Sequence, residues 1–309
     1  MSKQNFLITI VGPTAIGKTA VAIQLANYYN CEIISCDSRQ FFKEMSIGTA
    51  VPSAHELKQA KHHFIQNKSI TENYTVGDFE IEALQLLDQL FQKNNIQILV
   101  GGSGLYVDAV LKGFDEFPDV DVSVRENLIE EYQNNGITFL QNKLQELDPK
   151  YYQFLSENNP QTLENPQRMM RFLEVTIGSG TPYSSFLGKR KNIRNFTPII
   201  IGLDADREKM YQRINLRVDL MLQNGLLDEV KALEPSRHLN ALQTVGYREL
   251  FDYLDQKSTL DFAVEEIKKN TRRFAKRQIT WFKRTENTQW FDYLTPINNI
   301  TTYINSKIQ

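Results

Sequence analysis

The stretch Phe6–Thr19, FLITIVGPTAIGKT, constrains this chain more than any other: an apolar run ends in Gly12 and then in Gly17-Lys18-Thr19, the spacing of a Walker A loop. In such a loop, glycines let backbone N–H groups curl around phosphate oxygens. The lysine reaches the outer phosphate, and the threonine hydroxyl helps to hold Mg²⁺. The following segment, Ala20–Tyr29, carries Val21, Leu25 and Tyr28 at helical spacing, so a helix N-terminus should face the anion. Strand, loop and helix in this order predict an α/β fold with a P-loop NTPase-like parallel sheet core. An ordinary glycine-rich strand-to-helix turn has a similar outline, but the complete motif in this context favours a phosphate ligand. It does not say which one.

A chain of 309 residues, 41% hydrophobic and 23% charged, is long enough for one α/β domain and an elaboration of it. The leading MSKQ runs straight into the first strand, and no apolar stretch approaches the ~18 residues of a membrane span, so the expectation is a cytoplasmic protein without a membrane partner. Cys31 and Cys36 would stand roughly 16 Å apart on one strand, too far to bridge, and no nearby histidines complete a zinc site. The net charge of −2 argues against a broadly basic nucleic-acid binder, but its placement is uneven. Eight basic and no acidic residues lie between Lys268 and Arg284, whereas Asp115–Glu131 is dominated by Asp and Glu. One end of the molecule should attract polyanions.

A second strand, Glu32–Cys36, delivers Asp37-Ser38-Arg39-Gln40 to the sheet edge that carries the phosphate loop, where α/β folds bind ligands. A carboxylate there can hold Mg²⁺ through water, act as a general base, or simply cap the following turn. Ser38 and Gln40 can hydrogen-bond a polar substrate. Gly48–Pro52 reads as a turn with spare backbone donors, His55–His63 as a short helix and Thr75–Lys93 as a longer one. Adjacent His62 and His63 point different ways and lack partners at metal spacing, which favours a structural role.

The strand Ile96–Val100 ends not in a Walker B acid but in Gly101-Gly102-Ser103-Gly104, which disfavours ATP hydrolysis and lets backbone or substrate approach closely. From about Phe117 to Arg194 the pattern changes to short helices broken by Pro118, Gly136, Pro149, Pro160, Pro166 and Gly178-Ser179-Gly180. This is a helical insertion domain, predicted over 117–196, between core segments 1–116 and 197–309. Arg168 and Arg171 share one helical face within it, open to phosphates or to solvent alone. Strand pattern returns at Thr197–Leu203. In the helix that follows, Arg213 and Arg217 lie four apart and can reach over bound phosphates like a kinase lid, or form surface ion pairs.

The last long helix, Ala263–Arg284, turns Ile267, Thr271, Phe274, Ala275, Gln278, Ile279 and Phe282 inward and sets Lys269, Arg272, Arg273, Lys276, Arg277 and Lys283 opposite. A face so basic, with no acid within it, points to nucleic-acid contact, with Arg272, Arg273 and Lys276 as candidates.

These segments also carry a family resemblance. GPTAIGKT (Gly12–Thr19), DSRQ (Asp37–Gln40), IGTAVP (Ile47–Pro52), LVGGSGLY (Leu99–Tyr106), NPQRMMRFLE (Asn165–Glu174), VGYRE (Val245–Glu249) and AKRQITWF (Ala275–Phe282) resemble, in order and over nearly the whole chain, the motif series of the bacterial tRNA dimethylallyltransferases, the IPP transferase family. The resemblance implies transfer of a dimethylallyl group from dimethylallyl diphosphate to N6 of the adenosine 3′ to the anticodon. The phosphate loop then binds a departing pyrophosphate, which accounts for the missing Walker B acid. It implies Asp37 as base or hydrogen-bond acceptor at N6, and Ser38, Arg39 and Gln40 around the flipped nucleotide. The anticodon stem-loop falls to Gln167, Arg168, Met169, Met170, Arg171, Ser103 and Arg125. Thr19 serves Mg²⁺, and Lys18 contacts the diphosphate in a loop of Gly12, Pro13, Thr14, Ala15, Ile16 and Gly17. Arg217 and Arg213 join the pyrophosphate by the lid argument above.

Ile16 stands where the family has a small hydroxyl residue, Phe42 where tyrosine is common, Val51 for a frequent lysine and Ser103 for threonine, so diphosphate affinity is the property most affected. A small-molecule kinase shares the loop, Asp37 and the arginines, but leaves Gly101–Gly104 and the basic helix unexplained. A GTPase-like RNA switch lacks the guanine-reading Asn-Lys-x-Asp. The expected enzyme is a monomer with a channel between its lobes, donor entering from one side and base from the other.

Overall fold

The structure is a computed structural model and describes residues 4–189 and 193–308, so the leading 1–3, the insertion's 190–192 and residue 309 lie outside the described residues. Six strands form one parallel sheet in the order β3-β2-β4-β1-β5-β6. They are β1 (Phe6–Val11), β2 (Ile33–Ser35), β3 (His62–His63), β4 (Ile96–Val100), β5 (Thr197–Asp204) and β6 (Gln289–Asp292). The central strand β1 is buried along its whole length, as its unbroken apolar run demands of a strand covered on both faces. It pairs with β4 from Phe6↔Ile96 to Ile10↔Val100 and with β5 from Phe6↔Thr197 to Val11↔Gly202.

On one face of the sheet, α1 (Lys18–Tyr29) and α12 (Ile297–Ile308) pack through Ala22, Leu25, Ile300 and Ile304. On the other, α3 (Val76–Phe91) and α4 (Gly104–Leu111) pack through Phe79, Leu87, Val107 and Val110. The short α2 (Ala54–Gln59) begins at a reciprocal Ser53/Glu56 capping box. It stops before the expected end at His63, because Ala60 is extended and His62 and His63 pair with Ile33 and Ile34 as the edge strand β3. His63 Nε2 lies 2.6 Å from the Glu32 carboxylate, the structural role expected of it.

Phe114–Ile193 form a compact helical unit separate from the sheet unit. It contains α5 (Val122–Leu147), α6 (Pro149–Asn158) and α7 (Pro166–Ser179), with Leu140, Leu144, Met169 and Leu173 at its centre. Gly136, at φ 70°, breaks α5 into two helical stretches. The chain rejoins the sheet unit at Arg194, whose guanidinium binds Glu80 at 2.8 Å and the carbonyls of Ala109 and Val110. Beyond β5, the sheet unit adds α8 (Arg207–Gln223), α9 (Leu226–Leu233), α10 (Arg248–Leu254), α11 (Leu260–Phe282) and α12 (Ile297–Ile308). The helix α11 begins three residues earlier than its charge pattern indicates, because the Thr259 side chain caps the Phe262 N–H.

Candidate active site

The phosphate loop leaves the buried end of β1 at Gly12, where only glycine fits: φ is +145°, and a Cβ would lie 2.5 Å from the Leu203 carbonyl oxygen. Gly17, at φ 104°, turns the chain into α1. Ile16 points down into the core, 2% exposed, so its bulk is absorbed beneath the loop. The Lys18 Nζ donates to the carbonyls of Gly12 (3.0 Å) and Pro13 (2.7 Å). Burial lowers the Lys18 pKa to about 8; nearby Asp37 opposes the shift and Arg217 adds to it.

From α8, Arg213 donates through Nε to the Ala15 carbonyl at 2.8 Å and stacks over Tyr293. Arg217, one turn on, has no hydrogen bond or ion pair with any described residue. Its guanidinium faces Asp37 electrostatically, and burial pulls its pKa below the usual arginine value. A partly desolvated cation of this kind is a ready partner for an anion.

Two cavities open on this loop, both lined by residues of the sheet unit. One, of about 490 Å³, is bounded by the phosphate loop with Lys18 and Thr19, by Val51 and by Arg213, Leu216 and Leu220. The other, of about 480 Å³, is bounded by Ser38, Ser103, Leu105, Met221, Arg277 and Trp281. Thr14, Asp37, Thr49, Arg217, Phe274 and Gln278 line both, so Asp37 stands where the two meet. No three His, Cys, Asp or Glu side chains converge as a metal cage among the described residues. Mg²⁺ carried by phosphate oxygens needs only one or two protein ligands, and Thr19 and Asp37 on one cavity wall fit that pattern.

The DSRQ segment divides by role. Asp37 Oδ1 accepts from the Arg39 N–H at 3.1 Å, and Ser38 pairs with Ser103, hydroxyl to hydroxyl, at 3.1 Å. Arg39 and Gln40, expected around the flipped nucleotide, line the second and the first cavity respectively and are at the same time hydrogen-bonded within the protein. The Arg39 guanidinium donates to the carbonyls of Asn240 and Ala241 at 2.9 Å. The Gln40 amide donates to those of Thr49 and Ala50, tying down the Ile47–Pro52 turn.

The spare donors of that turn also have an owner that sequence reasoning missed. The Glu229 carboxylate accepts from the N–H groups of Ser46, Ile47 and Gly48 and from the Tyr247 hydroxyl, all within 3.0 Å. The glycines after β4 line the cavities and also allow close packing within the protein. A Cβ on Gly101 would strike Cys36, one on Gly102 the Gln278 amide at 2.3 Å, and one on Gly104 the Trp281 indole at 2.4 Å. The motif seats α11 against the sheet. Phe274, expected inward with the core, is 39% exposed and lines the cavities instead.

The basic face of α11 is partly neutralised from outside its own run. Lys268 bridges Asp219 and Glu265, and Lys269 bridges Glu266. Arg272 donates to Asn215 at 2.7 Å, whereas Arg273 and Lys276 are exposed and have no acidic partner among the described residues. Within the helical unit, Arg125 donates to Glu174 (2.9 Å) and Gln167 (2.7 Å), Arg171 reaches the same Glu174, and Arg168 donates to Thr162. Met169 and Met170, expected at an RNA surface, are 0% and 2% exposed because they are the apolar side of α7.

A family model described as IPP transferase matches residues 40–285. A tRNA dimethylallyltransferase of Flavobacterium psychrophilum is 68% identical over 305 residues, covering 99% of each chain. One from Bacteroides fragilis is 43% identical over 285 residues, 92% of this chain and 93% of its own. The crystal structure of a tRNA isopentenylpyrophosphate transferase from Bacillus halodurans superposes with a TM-score of 0.72 at 36% identity, covering 99% of this chain and 97% of that one. A eukaryotic dimethylallyltransferase acting on tRNA superposes at 0.79 with 26% identity, covering 98% of this chain and 77% of its own. These likenesses point away from small-molecule kinases. The chain belongs to the IPP transferase family, and the relatives it matches from Flavobacterium psychrophilum and Bacteroides fragilis are named tRNA dimethylallyltransferases.

Proposed function

We propose that this protein transfers a dimethylallyl group from dimethylallyl diphosphate to N6 of the adenosine 3′ to the anticodon, tRNA position 37, releasing pyrophosphate. The observation that carries the reading is the position of Asp37, and of Arg217 with no hydrogen-bond or ion-pair partner among the described residues, at the junction of the phosphate-loop cavity and the cavity beside it. The diphosphate lies against Gly12–Thr19, its charge met by Lys18, Arg217 and the loop N–H groups. The base, unstacked from the anticodon loop, enters past Ser38 and Ser103. Mg²⁺, held with help from Thr19, supplies further neutralisation of the diphosphate when bound.

As the allylic C1–O bond breaks, its electron pair leaves with pyrophosphate and positive charge spreads over the allyl group. The N6 lone pair then forms the new bond to C1, and the N6 proton passes to Asp37. The protein's contribution is charge stabilisation of the leaving group, placement of N6 and exclusion of water. The exposed Arg273 and Lys276 on α11, with Arg125, Gln167, Arg168 and Arg171 of the helical unit, supply contacts to the stem-loop. Met169 and Met170 act only by supporting α7. The enzyme works as a cytoplasmic monomer.

The test mixes purified protein, Mg²⁺, radiolabelled dimethylallyl diphosphate and an unmodified anticodon stem-loop with adenosine 3′ to the anticodon. Label should enter the RNA. Absence of transfer, with ATP consumed alongside a small metabolite, would replace this reading with the kinase one.

A further inference from the structure

The inward stripe of α11 contains one polar group that neither the core nor the transfer chemistry explains. Gln278 is 6% exposed among apolar neighbours, and both ends of its amide are used. Its Oε1 accepts from the Thr14 N–H of the phosphate loop at 2.9 Å, and its Nε2 donates to the Gly102 carbonyl after β4 at 2.8 Å. The fit at the second contact is close: a Cβ on Gly102 would lie 2.3 Å from that Nε2, so a larger residue there displaces the Gln278 amide.

Three segments distant in sequence therefore meet on a single side chain: the phosphate loop, the β4–α4 connection, and the helix whose outer face carries Arg273 and Lys276. Gln278 also lines both cavities. The contact takes the Thr14 N–H out of the set of loop donors free to meet a phosphate. It fixes that end of the loop to α11, because α1 and β1 leave Thr14 without another hydrogen-bond partner of its own among the described residues.

We propose that Gln278 is a positioning residue for the diphosphate: it holds the phosphate loop in its binding shape by tying Thr14 to Gly102. This rests on the reading of the phosphate-loop cavity as the donor site. Apolar replacement leaves the half-buried Thr14 N–H and the buried Gly102 carbonyl without this partner, and the loop moves to satisfy them. The consequence is specific. Binding on the phosphate side suffers, whereas the outer face of α11 keeps its residues and its register.

The test compares wild type with Gln278→Met, which is neutral and of similar length, and with Gln278→Glu, which keeps an acceptor for Thr14 but cannot donate to Gly102. Binding of Mg²⁺-pyrophosphate is measured by calorimetry without RNA, stem-loop binding by fluorescence anisotropy, and folding by thermal unfolding. Loss of both amide bonds in Gln278→Met should weaken pyrophosphate binding about 10-fold or more. Stem-loop affinity should stay within about 2-fold, the scale for a residue that leaves the contact surface intact. Gln278→Glu should also weaken pyrophosphate, because its charge faces the anion. Equal loss of both ligands in Gln278→Met, or unchanged pyrophosphate binding in a folded variant, overturns the proposal. Label transfer by the wild type, run alongside, separates that outcome from failure of the donor-site reading itself.

Discussion

The two cavities share six wall residues yet are built by opposite means. On the phosphate side, fixed charge dominates: Lys18 at the loop, Arg213 clamped to Ala15, Arg217 without a hydrogen-bond or ion-pair partner among the described residues. On the other side Arg39 and Arg277 also line the walls, but packing shapes them: Trp281 is pinned by its indole N–H to Asp108 at 2.9 Å and seated on Gly104. A leaving group with diffuse negative charge needs electrostatic neutralisation and tolerates some freedom of position. A nucleobase needs a shaped slot and little charge. On the proposed function, the difference between the walls answers the difference between those two demands.

The contrast breaks first if charge on the phosphate side proves dispensable. Lys18→Met and Arg217→Gln should each lower kcat/KM by about 10²–10³-fold, the scale for removing a donor aimed at developing charge. Leu220→Ala on the same wall should cost less than about 10-fold, as expected of one truncated apolar contact. Steady-state kinetics with the labelled donor distinguishes these, and an Arg217→Gln variant within a few-fold of wild type would remove that residue from the leaving-group account.

On the shaped side, the corresponding experiment is Gly104→Ala. Its methyl meets the Trp281 ring, so unfolding in denaturant should show a loss of about 1–3 kcal/mol. RNA binding should weaken while pyrophosphate affinity holds. If pyrophosphate suffers equally, the two walls are not independent.

The Lys18 pKa of about 8 sharpens the contrast through pH. The ammonium form binds an anion and the neutral amine does not. Pyrophosphate affinity, measured relative to Lys18→Met to cancel titration of the ligand, should therefore be flat below about pH 8. It should fall roughly tenfold per unit above that pH. For folding the sign is the reverse of a stabilising pair: the charged amine is disfavoured by burial, so its cost is present below pH 8 and is relieved as pH rises from there. A flat binding profile to pH 10 would mean that the phosphate site holds Lys18 charged far more strongly than its burial indicates.

The smallest effects belong to the outer face of α11. Arg273→Ala and Lys276→Ala should each weaken stem-loop binding only a few-fold, independently of base identity, and should each reduce the slope of log K against log salt by about one. Transfer at saturating RNA should be unchanged.

How much of this was legible in sequence varied with how local the cause was. The strand β1, the phosphate loop and α1 were readable because an apolar run and glycines at fixed spacing encode them within fourteen residues. The edge strand β3 was not, since two histidines are a strand only through pairing with Ile33 and Ile34. Glu229 has partners 183 residues away in sequence, and its carboxylate looks like any surface acid of an amphipathic helix. Arg39 and Gln40 carry the right chemistry for a nucleotide and line the cavities, but the carbonyls they also bind are ones that only the folded chain brings near them. Met169 and Met170 are a different case: the helical phase that puts Leu173 inside also puts them there, so the buried side of α7 was present in the spacing. The glutamine in the inward stripe of α11 carried a signal too, because a buried amide without a partner is costly.

The central claim is that donor and base meet at Asp37, and Asp37→Asn tests it most directly. The substitution keeps size and removes the proton acceptor. Radiolabel transfer from dimethylallyl diphosphate to the anticodon stem-loop should fall by about 10²–10⁴-fold, the range for losing a general base. Pyrophosphate and stem-loop affinities should each stay within a few-fold of wild type. Transfer at the wild-type rate would contradict the claim, because a residue at the junction of the two cavities would then take no part in joining their contents.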